Sequence, residues 1–513
     1  ATGLFQPLGL RIRYGRIYVL GRDQITRLID EDKDDVAEHY ECFCNHWETP
    51  TGGHDYATCL ETDSHGNFYF LDAVQGLQRV SADGQRVETI ATGLRNPNGM
   101  GISPRDEITV APQEGEWTPA SFVAYARKGD HFGYLGPRVA PERPLGYTLP
   151  LIYLSRRIDN SCGGQVWVPE GAWGGLSGKM LHLSFGQCRM LVVHEENVGG
   201  VRQGGAATLP MEFDSGVMRG RFSPFDGALY VSGSRGWVSR AAQDGCLTRV
   251  RYRSQSRLPL LVDVKSKGNG FVLQFDGPLD RRTAVDPGSY RIEAWNYRYS
   301  AAYGSRDYRL LQPDEEGHDE IPVLSATLSE DGQTLSLRTP PLSPANQVQI
   351  EMRLRSADGK PLRQVYLHTL HAASSEILPD APTFDALAAA GLSQSQLDNL
   401  QTGLLWTFRS GNREDIVARR MAAFSIEAGE PPTALLKAGP FEASARGWLT
   451  APFSDEYAFQ VEGTGRVELA IGSLRWSGEL REGAPVRLDN IRLTKGPNPI
   501  SIWCESDASG AAR

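Results

Sequence analysis

At 513 residues the chain can hold two to four domains, each with its own core. A formal net charge of -9 and a pI near 5.7 argue against nucleic acid, whose binding needs a basic face, and no apolar run approaches the roughly 20 residues that span a bilayer. With 55 glycines, 31 prolines and few stretches of 3.6-residue apolar period, the chain reads as mainly β.

The first half repeats. Gly15-Arg16-Ile17-Tyr18, Gly66-Asn67-Phe68-Tyr69 and Gly227-Ala228-Leu229-Tyr230 each follow a turn and open an alternating strand. A second turn follows fifteen residues after each tyrosine, at Lys33, Gly84 and Gly245. That spacing is the mark of a four-stranded propeller blade. Less regular units at 94–112 and 163–187 bring the count to about five blades before residue 255, with a sixth incomplete or formed from both chain ends.

Within this half, residues 30–41 read DEDKDDVAEHYE. Asp30, Asp32, Asp34, Glu38 and Glu41 stand at positions 1, 3, 5, 9 and 12 of a calcium loop, with Asp35 where glycine is usual. A solvated acidic turn is the plain alternative. Cys42, Cys44 and His46 spell C-x-C-x-H, which is not the C-x-x-C-H of haem attachment. The seven cysteines are an odd number, so at least one is unpaired, and the rest read as ordinary buried or disulfide residues.

His54 follows two glycines at the mouth of a strand, where it acts either as a proton acceptor or as a hydrogen-bonding turn residue. GLRNPNGMGISPRDEITVAPQEGEWTPA (93–120), KGDHFGYLG (128–136), GLSGKMLHLSFGQ (175–187) and SGVMRGRFSPFDGALYV (215–231) follow in order. In SRRIDNSCGGQVW (155–167), Arg157, Asp159, Asn160 and Gln165 gather polar groups ahead of a buried-looking strand, and we place them at an axial pocket. Trp117, Arg235 and Trp237 suit stacking on a sugar ring, or a propeller core.

Over roughly residues 4–252 these segments resemble the pyrroloquinoline-quinone (PQQ) sugar dehydrogenases of the soluble glucose/sorbosone type, and are nearest to divergent propellers often fused to a c-type cytochrome. The resemblance implies His54 as the general base that takes a sugar hydroxyl proton, a role worth about 10²–10⁴ in rate. It implies Arg95 and Asn96 at the quinone oxygens, where fixed donors need no reorganisation. It puts the carbonyls of Gly115 and Glu116 toward a calcium ion, and Arg219 and Arg221 on the cofactor's carboxylates. The family's common lysine is absent from Leu183-Ser184-Phe185-Gly186.

After residue 255 the texture changes. Residues 256–372 suit an Ig/FnIII-like β-sandwich, 373–402 a linker with one short helix, and 403–513 a second β-sandwich that resembles a PA14 module but lacks the adjacent aspartates of sugar-binding members. The expected fold is therefore all-β, a five- or six-bladed propeller (1–255) followed by two sandwiches. The start shows no basic-then-apolar leader, so any secretion signal is expected to be removed already or never to have existed. The expected activity is oxidation of a sugar or polyol in the periplasm or outside the cell, with PQQ and calcium, and electrons passing to a c-type cytochrome. A polysaccharide lyase or hydrolase using the same His/Arg pocket, and a noncatalytic glycan-binding propeller, remain open.

Overall fold

The structure, a computed structural model, describes residues 1–53, 55–135, 146–236, 238–254, 258–381 and 403–512, with Ser393 and Ser395. His54, Trp237 and most of the 373–402 linker, with its expected helix, lie outside the described residues.

The described residues are mainly β, with a short α-helix at Arg281–Ala284. The first sheet holds β1 (Gly9–Arg13), β2 (Arg16–Leu20), β3 (Ile25–Ile29) and β4 (His39–Cys44). The second holds β5 (Ala57–Thr62), β6 (Phe68–Asp72), β7 (Gly76–Val80) and β8 (Val87–Ala91). In the third are β9 (Gly99–Ile102), β10 (Ile108–Ala111), β11 (Ser121–Ala126) and β12 (Ile152–Leu154). The fourth begins with β13 (Cys162–Trp167), β14 (Met180–Ser184), β15 (Arg189–Val198) and β16 (Val201–Glu212). The fifth has three strands, β17 (Gly216–Phe222), β18 (Leu229–Ser234) and β19 (Gly245–Val250). Each sheet is an antiparallel meander, and first strands lie side by side in the series β1, β5, β9, β13, β17. Successive up-and-down sheets with adjoining first strands are propeller blades.

The sequence repeat has a physical cause. Its glycines, Gly15, Gly66 and Gly227, sit at φ 72, 82 and 64, where a side chain is strained, and each turns the chain from the first strand of a blade into the second. The Tyr69 and Tyr230 hydroxyls then donate to Asp63 and Asp226 in those turns, each at 3.1 Å. The third copy departs downstream, because Gly245 opens β19 instead of a turn after the third strand. Packed rings join the blades: Tyr18 meets Phe68 at 4.8 Å and Trp47 meets Phe70 at 4.7 Å. Burial of each such ring stabilises by roughly 1.5–3 kcal/mol.

Beyond the fifth blade, β20 (Leu261–Lys267), β21 (Gly270–Phe275), β24 (Ser325–Leu328) and β25 (Thr334–Arg338) form one layer of a sandwich. The other layer holds β22 (Tyr290–Trp295), β23 (Asp319–Ile321), β26 (Ala345–Arg355) and β27 (Pro361–Leu370). Strand β27 pairs with β16, so blade 4 and this layer are one eight-stranded sheet. The last strands, from Leu404–Ser410 to Gly496–Glu505, make a six-stranded and a two-stranded sheet. They meet the sandwich through Arg355–Glu456 at 2.7 Å and Lys495–Glu320 at 2.8 Å. Among the described residues no helix is long and apolar enough to cross a membrane. All seven cysteines are free.

Candidate functional site

In an up-and-down blade, the loops that enter each first strand open at the same end as those that join second to third strands. That end of the propeller therefore carries residues 45–53, 55–56, 92–98, 112–120, 155–161, 185–188, 235–236 and 238–244. It gathers the segments around His54, Arg95, Gly115, Arg157 and Arg235. The acidic loop joins β3 to β4 and opens at the other end.

The segment that flanks His54 is held by a residue the sequence did not single out. Arg22 donates to the Asp55 carbonyl through Nε at 3.0 Å and Nη2 at 2.6 Å, and also to the Gly52 carbonyl. Arg95 lies nearby at the blade 3 loops. Its Nη1 donates to the Glu114 carbonyl at 2.8 Å, its Nε is 3.6 Å from the Glu116 carboxylate, and its guanidinium rests 4.8 Å over the Tyr303 ring. Asn96 beside it adopts φ 38.

Tyr303 belongs to the loop of residues 296–318 between β22 and β23, which reaches from the sandwich onto the propeller. The Gly304 and Ser305 amides donate to the Gly115 and Pro119 carbonyls, the Trp117 amide donates to the Ser300 carbonyl, and the Tyr299 hydroxyl donates to Gly133. Trp117 is buried with its ring 5.0 Å from Tyr299. Arg235 is exposed, 3.7 Å from Asp244.

The polar group around 157–165 divides. Asp159 and Gln165 are buried in one chain of hydrogen bonds through His182. Gln165 donates to the Gly163 carbonyl at 3.0 Å and accepts from Thr109 at 3.0 Å, which fixes its amide. Its nitrogen then faces His182 Nδ1 at 2.9 Å, so His182 carries its proton on Nε2 and donates to Asp159 at 2.7 Å. Ser184 and the Ser161 amide complete Asp159 at 2.6 and 3.0 Å. Cys162 Sγ lies within 4.8 Å of the Asp159 and His182 ligand atoms. Burial, reinforced by Asp159, pushes its thiol well above the usual range. Asn160 accepts from Gln187 at 2.8 Å. Arg157 instead points out of this network and is exposed.

Arg157 lines a cavity of 1330 Å³ between propeller and sandwich. The propeller wall holds Glu114, Ser155 and Arg156, and the sandwich wall Trp295, Tyr303 and His318. Glu114 is paired with Arg156, Arg306 with Glu316 at 2.7 Å, and His318 with Asp307 at 2.8 Å. The hydrogen bond that His318 donates to Asp307 outweighs burial and raises the His318 pKa, while the ring stacks 4.0 Å from Trp295. None of this loop was singled out in the sequence, because nothing local ties residues 296–318 to residues 95–119.

The fit of these residues to PQQ can be judged from their bonds. Arg219 donates to Asn98 at 2.9 and 3.0 Å, and Arg221 donates to Glu61 at 2.6 Å, where Arg11 also pairs at 3.2 Å. The Gly115 carbonyl accepts from Thr118 at 3.0 Å and Gly304 at 3.1 Å. One buried donor, Arg219 Nε, is left without a partner among the described residues, too little for a group with several carboxylates. Arg95, Arg219 and Arg221, with the Gly115 carbonyl, are thus engaged within the chain and do not by themselves form a quinone cradle. In the acidic loop, Asp30, Asp32, Asp34 and Glu38 bring ligand oxygens within 4.8 Å of one another, and Asp35 takes φ 70 where glycine is usual. Glu41 turns away to Arg27.

No protein-family model matches the chain, and no curated protein matches it. Among solved structures it is similar to an oxidoreductase (glucose dehydrogenase) from Thermus thermophilus, at 14% identity and TM-score 0.30, over 48% of this chain and 97% of that one. The PQQ-bound aldose sugar dehydrogenase from Streptomyces coelicolor gives 12% identity and TM-score 0.28, over 48% and 94%. YCF48 from Cyanidioschyzon merolae gives 11% identity and TM-score 0.20, over 71% and 94%. These likenesses are remote, and the site stands on its own residues.

Proposed function

We propose that this chain handles a sugar or polyol as part of an oxidoreductase of the sugar-dehydrogenase type, working in the periplasm or outside the cell. What supports the reading is one arrangement: the loops bearing His54, Arg95 and Arg157 open at one propeller end, where the sandwich loop walls a large polar cavity. Cavities of this kind, with a few placed polar groups and aromatic walls, suit small polar ligands. His54 is the proposed acceptor of the substrate hydroxyl proton, in a segment fixed by Arg22. A c-type cytochrome is the proposed electron acceptor, calcium in the acidic loop a proposed structural ion, and the last module a PA14-like spacer. PQQ is the cofactor this reading implies, and it would need partners other than Arg95, Arg219 and Arg221.

A second reading has its own observation. Because those three guanidiniums are already bound within the chain, a propeller that binds glycan without turnover fits them equally well.

Calorimetric titration of metal-depleted protein with PQQ, with and without calcium, decides between the two. Calcium-dependent micromolar binding, followed by dye reduction with a sugar panel, is expected for the oxidoreductase. Loss of both heat and dye reduction would leave the glycan-binding reading.

A further inference from the structure

The charges on the cavity wall do not cancel. Three cationic groups have acidic partners: Arg156 has Glu114, Arg306 has Glu316 and His318 has Asp307. Arg298, a fourth, is held by Asp314 at 3.0 Å. Arg157 alone on this wall has neither a carboxylate nor a hydrogen-bond acceptor among the described residues, and it is exposed. A guanidinium left over beside paired neighbours is a fork for a carboxylate.

One uncharged group on the same wall is also left over. The hydroxyl of Ser155 is buried without a hydrogen-bond partner among the described residues, while the indole N–H of Trp295, 1% exposed, faces the Tyr297 hydroxyl. Leaving such a hydroxyl unmet is unfavourable, and a hydroxyl-bearing ligand would meet it. Tyr303 adds a ring, 61% exposed, that is fixed on its guanidinium side by Arg95. Rings of this kind receive the apolar face of a sugar.

We propose that this cavity binds an acidic sugar, a uronate unit of an oligosaccharide, with Arg157 on the carboxylate, Ser155 on a ring hydroxyl, and Tyr303 beneath the ring. The site is built by two domains, so neither the propeller nor the sandwich forms it alone. The cavity and Arg157 are those on which the oxidoreductase reading also rests, but binding itself requires no turnover and no electron acceptor.

The test is calorimetric titration of the full chain with digalacturonate, with the neutral disaccharide digalactose, and with PQQ as a competitor. Saturable binding of digalacturonate is expected, weakened roughly tenfold or more by Arg157→Gln and by removal of the ligand's carboxylates. Tyr303→Ala should weaken both sugars alike. Unchanged affinity in Arg157→Gln, equal affinity for digalactose, or no heat at millimolar ligand would overturn the proposal. Displacement of digalacturonate by PQQ, lost in Arg157→Gln, would overturn it too and give the cavity to the cofactor. Failure of PQQ to bind anywhere would count against the oxidoreductase while leaving this site intact.

Discussion

Asp159 and Arg157 are two residues apart and serve opposite ends. Asp159 is wholly buried and takes three hydrogen bonds, from His182, Ser184 and the Ser161 amide. Removing it strands the His182 Nε2–H and the Ser184 hydroxyl in a dry interior. Asp159→Ala should therefore lower stability by roughly 3 kcal/mol or more, read as a fall in the urea midpoint at constant slope. Arg157→Gln, at an exposed position, should stay within about 0.5 kcal/mol of the parent. Equal midpoints for the two variants would refute the division of roles. The sequence showed only that polar groups cluster here. It could not separate them, because the partner that draws Asp159 and Gln165 inward, His182, lies on β14 and looks like an ordinary alternating strand residue.

At the scale of single elements, the loop 296–318 depends on Gly304. This residue adopts φ 68, and a Cβ there would strike the Glu114 carboxylate that Arg156 holds. Gly304→Val should lift the loop from the propeller. Amide exchange over 298–306 should rise many-fold while β22 and β26 keep their protection, and unchanged exchange would show that the loop does not need this close approach. The blades and the loop also mark what could be read beforehand. The G-x-Φ-Y copies were legible because all three turn on a left-handed glycine, and in two of them a turn aspartate meets the tyrosine within seven residues. Three of the five blades follow from that local code, and the less regular units at 94–112 and 163–187 stand for the other two. The loop's anchors, such as Gly304 to Gly115, join residues nearly two hundred positions apart and leave no periodic trace.

For the molecule as a whole, the seam between blade 4 and the sandwich is held by a buried charge. Glu196 on β15 accepts from Gln203 on β16 at 2.9 Å and from the Ser266 amide on β20 at 2.9 Å, and lies 3.3 Å from His368 on β27. Burial opposes its ionisation, but the hydrogen bond and charge of His368, with Ser266 and Gln203, prevail and bring its pKa from 4.5 to about 2. A depressed carboxyl pKa stabilises fully above the unfolded value and is lost as pH falls through the folded one. Melting temperature should therefore drop between pH 4.5 and 2, and Glu196→Gln should flatten that slope at a cost of roughly 1–3 kcal/mol near neutrality. An unaltered slope in the variant would remove Glu196 from the seam's acid sensitivity.

The shared sheet across this seam also sets a clock. Gly204 on β16 waits for Thr369 on β27, 369 − 204 = 165 residues later in the chain. At typical synthesis rates of about 5–20 residues per second, the outer edge of blade 4 stays bare for roughly 10–30 seconds after it leaves the ribosome. Throughout that interval its amides and carbonyls are open to any passing strand, so the finished propeller inherits its last hydrogen bonds from the domain that is made after it.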